Sequence, residues 1–292
     1  MKIEVDENGK PINVCQRESK DSNWLIEEFM LLANREVATL IGAKQGSTKT
    51  KTFVYRIHEE PAIDKIVAFR TFLKHLGYSM NETKNGRELS SAINKLLSNV
   101  KGKPEESAIE IMALRSMARA RYSTDNTGHY GLAFDYYTHF TSPIRRYPDM
   151  MVHRMLMHYI DNGKSLEKRD YEERCKHSSQ REQLATDAER ASIKYKVVEF
   201  MQDKIGNEYD GNISGLTEWG MFVEIEDTKV EGLIPLREIK EDYLQFDEES
   251  YTLLSKRTGR KFRLGERVRI KVIRANIEQK QLDFALIWND HQ

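Results

Sequence analysis

The sequence predicts an α+β fold in which a mainly helical part precedes a small β-barrel. Up to about residue 204, apolar residues recur mostly at helical spacing. From Gly206 onwards, short runs rich in β-forming residues follow one another and are separated by glycines. One long excursion, between Ile239 and Gly265, interrupts these runs, which is typical of a small closed barrel of the OB-fold type. We therefore predict two parts, residues 1–204 and residues 205–292.

Two short strands and a long helix are predicted at the start of the chain. Ile3–Val5 and Ile12–Val14 flank a turn at Gly9, where a positive φ is expected. From Trp24 the apolar residues take up the period of a helix, which we expect to end at Gly42. Because the chain starts directly before a strand, we expect it to be cut from a larger protein.

Prolines and glycines mark the elements that follow. Pro61 and Gly77 bracket a second helix, and Pro104 begins a third that is predicted to run to about Arg121. Helical spacing resumes at Val152 and again over residues 166–204. The predicted strands of the second part are Glu208–Ile213, Gly220–Ile225, Gly232–Leu236, Arg267–Ala275 and Leu282–Leu286.

The composition bounds the class of protein. With 39% hydrophobic and 32% charged residues among 292, the chain is typical of a folded globular protein. No run approaches the roughly 20 apolar residues that cross a bilayer, and a signal peptide is missing, so we expect no membrane contact and a cytoplasmic location. Two distant cysteines indicate neither a disulfide framework nor a zinc site. Lys+Arg and Asp+Glu both number 46, so the net charge gives no support to nucleic-acid binding.

The segment from Phe140 to Asp149 contains two prolines and two adjacent arginines directly before a helix. Such a segment cannot form regular secondary structure. Arginines on a proline-stiffened loop can present planar guanidinium groups to phosphate, and the nearby helix N-terminus favours an anion. One interpretation is therefore a phosphate clamp. The other is that one arginine pairs with Asp149 or with a helix C-terminus.

Five blocks of the sequence, in order along the chain, resemble the ribonuclease II and ribonuclease R family. The most specific is YTHFTSPIRRYPD at residues 137–149, followed by the helix that contains His153 and Arg154. The others are NWLIEEFMLLANREVA from Asn23, VYRIHEEP from Val54, LRSMARARYS from Leu114 and GHYGLAFDYYTHF from Gly128. The resemblance implies that residues 1–204 are the C-terminal part of an RNB-type catalytic domain and that residues 205–292 are an S1-type OB-fold domain.

Enzymes of this family bind single-stranded RNA and release nucleoside 5′-monophosphates from its 3′ end, using magnesium held by an aspartate cluster. In the family this cluster lies upstream of the LIEEFMLLAN segment, and no Asp-rich motif of that kind occurs in this sequence. The resemblance thus implies part of a magnesium-dependent exoribonuclease, and we expect this chain to be monomeric and to bind RNA without cleaving it. The alternative is a non-catalytic RNA-binding protein with a degenerate nuclease body.

Three arginines in and after the loop are candidates for phosphate contacts. Arg145 matches the family arginine that stabilises the phosphate being cleaved, a role that suits its delocalised positive charge. Arg146 and Arg154 either hold neighbouring phosphates or only structure the loop. None of the three is expected to read a base.

Three glutamates are candidates for contacts near the RNA 3′ end. Glu27 or Glu28 matches a family glutamate that touches the terminal ribose, although both could simply favour the first turn of their helix. Glu189 resembles a family glutamate near the RNA 3′ end, or is an exposed helix charge. For His129 and His139 we predict structural roles, because the family mechanism needs no histidine as acid or base.

The second part offers aromatic and basic residues for RNA. Tyr209, Trp219 and Phe222 lie on or beside its early strands, where an OB-type sheet presents aromatic rings for base stacking. Phe222 is predicted to stack, whereas Trp219 and Tyr209 either stack or pack in the barrel. The basic stretch from Lys256 to Arg274, which includes Lys271, is predicted to follow an RNA backbone, unless it is only a solvated surface.

Overall fold

The computed structural model describes residues 2–15, 19–43, 50–83, 85–103, 105–239, 244–247, 251–255 and 259–287. The helices are α1 (Asp21–Gly42), α2 (Ile63–His75), α3 (Gly86–Val100), α4 (Glu106–Ser116), α5 (Tyr147–Ile160) and α6 (Lys168–Gln202). The strands of this helical part are β1 (Lys2–Val5), β2 (Pro11–Cys15), β3 (Tyr55–Ile57) and β4 (Arg121–Ser123). Within the described ranges, no helix combines the length and apolar character that would let it span a membrane.

The start of the chain follows the predicted order of elements. β1 and β2 form an antiparallel hairpin whose turn contains Gly9 at φ +77°, as predicted. α1 begins at Asp21, three residues before the predicted start, and ends at Gly42. The reason for a glycine there is close packing, because a side chain at this position would collide with Tyr55 and Tyr136.

α3 was not predicted, although its signals are present in the sequence. The side chain of Asn85 caps the helix by accepting a hydrogen bond from the backbone N–H of Glu88 at 2.9 Å. The helix buries one apolar stripe at spacings of three and four residues, formed by Leu89, Ile93, Leu96 and Val100. A capping residue followed by such a stripe is the pattern that indicates an amphipathic helix.

The predicted third helix is shorter than expected, because α4 ends at Ser116 rather than near Arg121. The residues that follow form β4, which pairs antiparallel with β3 so that Tyr122 lies opposite Arg56. The backbone N–H of Tyr122 donates to Ser179 Oγ of α6 at 2.9 Å. This two-stranded sheet is therefore held against the middle of the longest helix.

The second part is a closed five-stranded barrel, as predicted. Its strands are ordered β11-β12-β7-β6-β5, where β5 is Glu208–Thr217, β6 is Gly220–Ile225, β7 is Glu231–Pro235, β11 is Arg267–Asn276 and β12 is Gln281–Leu286. The long excursion contains a separate three-stranded sheet formed by β8 (Leu244–Asp247), β9 (Thr252–Ser255) and β10 (Lys261–Arg263). The predicted α+β class, with a helical part before a small OB-type barrel, is confirmed.

One hydrophobic cluster runs through both parts of the chain. It joins Phe69 of α2 and Met201 of α6 to barrel residues such as Ile213 and Val272. Tyr251, next to β9, also makes an edge contact with Phe72 of α2, with ring centroids 5.9 Å apart. The barrel is therefore packed onto the helices. The proposed boundary near residue 205 falls between α6 and β5 and stays a prediction.

We predict that Gly42→Ala lowers the free energy of unfolding by about 1–3 kcal/mol, because the new methyl group would overpack the site. It would lie 2.6 Å from both Tyr136 Cδ1 and Tyr55 Oη, and Tyr55 is almost fully buried. The measurement is chemical denaturation. The comparison is Gly86→Ala, where the nearest atoms to the methyl group all belong to the Glu60 side chain, which can turn away at the cost of its hydrogen bond from the Gly86 N–H. Equal losses in the two variants would contradict this account of Gly42.

Candidate nucleic-acid interface

The loop that contains the paired arginines is tied to α1 by a buried amide. Asn34 donates through Nδ2 to the Tyr137 hydroxyl at 3.1 Å and accepts from the backbone N–H of Phe140 at 2.9 Å. The hydroxyl of Thr138 donates to the carbonyl of Val54 at 2.7 Å. These bonds satisfy polar groups away from water, and they fix the path of the chain into the loop.

At the other end of the loop, Asp149 lies in the first turn of α5 and is fully buried. Its Oδ1 accepts from the backbone N–H of Ser142 at 2.8 Å and from Arg146 Nη2 at 2.9 Å. The carboxylate therefore closes the loop and holds the Arg146 guanidinium inside it. This outcome matches the interpretation in which one of the two arginines pairs with Asp149.

Arg145 is in a different situation from its neighbour. Its backbone N–H points to the carbonyl of Ser142 at 3.3 Å, which fixes the main chain. Its side chain is exposed and has no hydrogen bond or ion pair among the described residues. Arg154, about two turns into α5, is likewise exposed and has no such partner in the described ranges. The loop thus offers the Arg145 and Arg154 guanidinium groups to a ligand, while Arg146 is occupied.

The histidines beside the loop are half-buried and hydrogen-bonded to neighbouring groups, and the structural roles expected for them stay a prediction. Burial, followed by the positive charge of Arg146, lowers the pKa of His139 to about 3, and its Nδ1 is bonded to the Tyr122 hydroxyl at 2.8 Å. Burial and the neighbouring His58 lower the pKa of His129 to about 4. Both rings are therefore neutral near pH 7, which does not suit a proton-transfer group with a pKa close to the working pH.

The three candidate glutamates are all exposed. Glu27 and Glu28 project from α1, and the structure does not single out one of them. Glu189 lies on α6. Large apolar residues of α1 are also exposed, among them Trp24 and Phe29 at 55% and 61%. Glu27, Glu28 and several large apolar side chains of α1 are therefore not covered by other described residues.

The aromatic candidates of the barrel occupy different environments. Along β6, Met221 and Val223 are buried in the barrel, so Phe222 faces the opposite side and is only partly buried. Trp219, in the turn before β6, is 71% exposed and is not a core residue. Tyr209 is half-buried and packs against the hydrophobic cluster. Phe222 and Trp219 are therefore accessible for stacking, and Tyr209 has a packing role.

Some basic side chains of the barrel are paired with acidic residues, which the sequence alone does not indicate. Arg267 pairs with Glu226 at 3.0 Å, and Arg269 pairs with Glu208 at 3.3 Å. These acids lie far away in sequence and come together only when β11 aligns with β5. Lys271 is exposed and forms no ion pair among the described residues. Two of the basic residues in the predicted stretch, Lys256 and Arg257, lie outside the described residues.

A metal centre is not formed by the part of the chain that the structure describes. No group of three or more His, Cys, Asp or Glu residues in that part is arranged to hold a metal ion. Magnesium requires oxygen ligands, commonly carboxylates, arranged around it in an octahedron. The described residues therefore do not fit a magnesium site.

The lowered pKa values of His129 and His139 predict that the free energy of unfolding decreases as the pH falls from about 6.5 towards 4. In this window the two histidines bind protons in the unfolded chain but not in the folded protein. Each pH unit in this window costs up to about 1.4 kcal/mol per histidine. His139→Gln should therefore show a weaker pH dependence of the unfolding free energy, measured by denaturant titration. His177→Gln, at an exposed position of α6, is the control. An unchanged pH dependence in His139→Gln would contradict the assignment.

Two family models match the chain. The RNB domain matches residues 1–162, and the S1 RNA binding domain matches residues 202–286. Residues 163–201, which include most of α6, lie in neither range. The predicted extension of the catalytic part to residue 204 therefore stays a prediction.

Curated proteins named Ribonuclease R are similar to nearly the whole chain. Ribonuclease R 1 of Lactococcus lactis is 41% identical over 97% of this chain, and Ribonuclease R of Aquifex aeolicus is 38% identical over 97%. Ribonuclease R of Escherichia coli is 34% identical over 94%. The chain spans only 34%, 40% and 34% of these three proteins.

Solved structures agree with the sequence comparisons. The apo form of Mycoplasma genitalium RNase R matches 98% of this chain and 45% of its own, with a TM-score of 0.86 and 26% identity. Yeast Ssd1, described as a pseudonuclease, matches 81% of this chain and 29% of its own, with a TM-score of 0.63 and 25% identity. The chain therefore belongs to the RNB family and is homologous to a portion of Ribonuclease R.

Proposed function

We propose that the chain is part of a hydrolytic 3′-to-5′ exoribonuclease that degrades single-stranded RNA to nucleoside 5′-monophosphates. The observation that carries the proposal is the free guanidinium of Arg145 on a loop whose two ends are anchored by Asn34 and Asp149. The homology to Ribonuclease R supports it. So does the likeness to Mycoplasma genitalium RNase R, which was solved in complex with ribose methylated single-stranded RNA.

In this proposal Arg145 stabilises the phosphate that is cleaved. Its backbone is held by Ser142, and the first turn of α5 begins two residues later. A phosphate near the guanidinium would therefore meet two sources of positive potential, a delocalised charge and the N-terminal end of a helix. Arg154 offers a second guanidinium on α5 for a neighbouring phosphate. Arg146 supports the loop through Asp149 and is not needed to contact RNA.

The remaining candidates extend the proposed RNA path. Glu27 or Glu28 accepts a hydrogen bond from a ribose 2′-hydroxyl, which would favour RNA over DNA, and Glu189 lies near the same end of the strand. In the barrel, Phe222 and Trp219 stack on bases, a contact worth roughly 1–3 kcal/mol each. Lys271 contacts the backbone through charge alone.

Magnesium belongs to the proposed activity of the longer protein. The residues described in this chain do not fit a magnesium site, so no step of hydrolysis can be assigned to them. We therefore propose that this chain on its own binds RNA without cleaving it. In this proposal the magnesium ligands belong to residues other than those described here.

A second candidate function is a non-catalytic RNA-binding protein with a nuclease-like body. Its support is the likeness to yeast Ssd1, which is described as a pseudonuclease and covers 81% of this chain. The two candidates share RNA binding and differ in hydrolysis by the full-length protein. Activity of that longer protein therefore decides between them.

We predict that Arg145→Gln weakens binding of single-stranded RNA roughly tenfold near physiological salt, and lowers the slope of log affinity against log salt by about 0.7. The loss follows from removing one phosphate contact without disturbing the buried ion pair of Arg146. The measurement is fluorescence anisotropy with a labelled oligouridylate. Arg169→Gln, an exposed position on α6, removes the same charge elsewhere and should bind as the parent does. Equal affinities of the Arg145 and Arg169 variants would rule out the proposed role.

A digestion assay tests the second half of the proposal. This chain should release no mononucleotides from 5′-labelled single-stranded RNA in the presence of magnesium, while it retains the labelled strand in a filter-binding assay and binds matched DNA more weakly. Ribonuclease R of Escherichia coli is a suitable positive control. Release of mononucleotides that persists after further purification would mean that the chain contains metal ligands not identified among its described residues.

A further inference from the structure

A polar cleft of about 410 Å³ lies between α6 and the β3–β4 sheet, away from the loop of Arg145. One wall is a single face of α6, on which Gln183 and Arg190 are spaced by seven residues. The other wall is formed by Arg56, Arg119 and Arg121, on β3, before β4 and on β4 respectively. The remaining residues that line the cleft are mostly polar, so the cleft is not suited to an apolar ligand.

Positive charge dominates the lining, which contains four arginines and a single carboxylate, that of Glu182. Glu182 pairs with Arg56, the least exposed of the four. Arg121 pairs with Glu59 just outside the cleft at 2.7 Å. Two guanidinium groups therefore have their charge balanced by a carboxylate.

The guanidinium groups of Arg119 and Arg190 are not balanced by a carboxylate in the described part of the chain. Arg119 donates to the neutral amide oxygen of Gln183 at 2.7 Å, and it forms no ion pair with a carboxylate among the residues that the structure describes. Arg190 is exposed and has no hydrogen bond or ion pair in the described part of the chain. Asp187, one turn along α6 from Gln183, accepts from the Gln183 amide at 2.8 Å. Arg119 and Arg190 are thus held at the cleft with unused donor capacity.

The cleft is also connected to the loop that carries Arg145. The guanidinium of Arg56 lies over the Tyr122 ring at 4.6 Å, and the Tyr122 hydroxyl bonds to His139. The backbone N–H of Tyr122 donates to Ser179, which lines the cleft. A strand bound in the cleft would therefore lie against the same rigid group of residues that supports the loop.

We infer that this cleft binds the phosphodiester backbone of single-stranded RNA, through Arg119 and Arg190, in addition to the contact made by Arg145. The inference rests on the proposed RNA-binding function and adds the phosphate contacts of Arg119 and Arg190 to it. Guanidinium groups bind phosphate oxygens through parallel hydrogen bonds. Such a contact is independent of base sequence.

The test compares two double variants of the whole chain, Arg119→Gln with Arg190→Gln, and Arg87→Gln with Arg169→Gln. Both remove two positive charges, and Arg169 lies about 30 Å from Arg190 along α6. Binding of a labelled oligouridylate is measured by anisotropy over a range of salt concentrations. We expect the cleft variant to lose affinity roughly tenfold, and to lower the salt slope by about 1.4, that is about 0.7 for each phosphate contact. The control variant should keep the parent's slope.

A substitution that is expected to strengthen RNA binding provides a second test of the cleft. Thr186 lines the cleft, and its hydroxyl bonds only to the carbonyl of Glu182 in its own helix. Thr186→Lys adds a positive charge between the two arginines and should tighten RNA binding about threefold, with a steeper salt slope. An unchanged or weaker affinity would count against the cleft.

The outcomes separate this inference from the proposed function. If the parent binds RNA and Arg145→Gln weakens it, while the cleft variant behaves as its control, the cleft inference is overturned and the proposed function stands. If the cleft variant keeps its RNA affinity but loses binding of uridine 5′-monophosphate, the cleft is a mononucleotide site and the inference also fails. If the parent does not bind RNA at all, both are overturned.

Discussion

The buried carboxylate of Asp149 is the interaction on which the site depends. A carboxylate without contact to water is costly unless hydrogen bonds and an opposite charge compensate it. Asp149 obtains this compensation from the N–H of Ser142, the guanidinium of Arg146 and the N-terminal end of α5. Each partner belongs to a different part of the loop. The loop therefore follows a path that brings two donors to Asp149 Oδ1, while Oδ2 is buried without a hydrogen-bond partner among the described residues, and on that path Arg145 is exposed.

A polar network and an apolar cluster support this arrangement from two sides. Asn34 links α1 to the start of the loop, and Tyr122 links β4 to His139 and α6. Because these groups are buried, removing one partner leaves another without a hydrogen bond, which costs about 1–3 kcal/mol. The apolar cluster continues from the helices into the barrel and packs the two parts together. The loop itself rests on a second apolar cluster, which includes Ala38 of α1, Met155 of α5 and Cys175 of α6. The long helix α6 therefore contributes to both clusters.

The exposed face of α1 bears on how the candidate glutamates work. Trp24, Leu25 and Phe29 are each more than half exposed, and neighbouring large apolar residues of this kind are typical of an interaction surface. Glu27 and Glu28 lie between them on the same helix. Whatever covers the apolar residues would also set the surroundings of the two glutamates. The chain spans about a third of the length of these Ribonuclease R relatives.

The sequence by itself determined a helical part before a barrel, the five barrel strands and the irregular loop, because spacing, glycines and prolines act locally. It did not predict β3, β4 or the three-stranded sheet of the excursion. It also contained the signals of α3, namely the Asn85 cap and its apolar stripe, which were overlooked. Only the tertiary structure decided which of two adjacent arginines is free, since the answer depends on the burial of Asp149. The same holds for Arg267 and Arg269, whose partners come from distant strands. Charge balance in a folded protein depends on neighbours in space, which local sequence patterns do not specify.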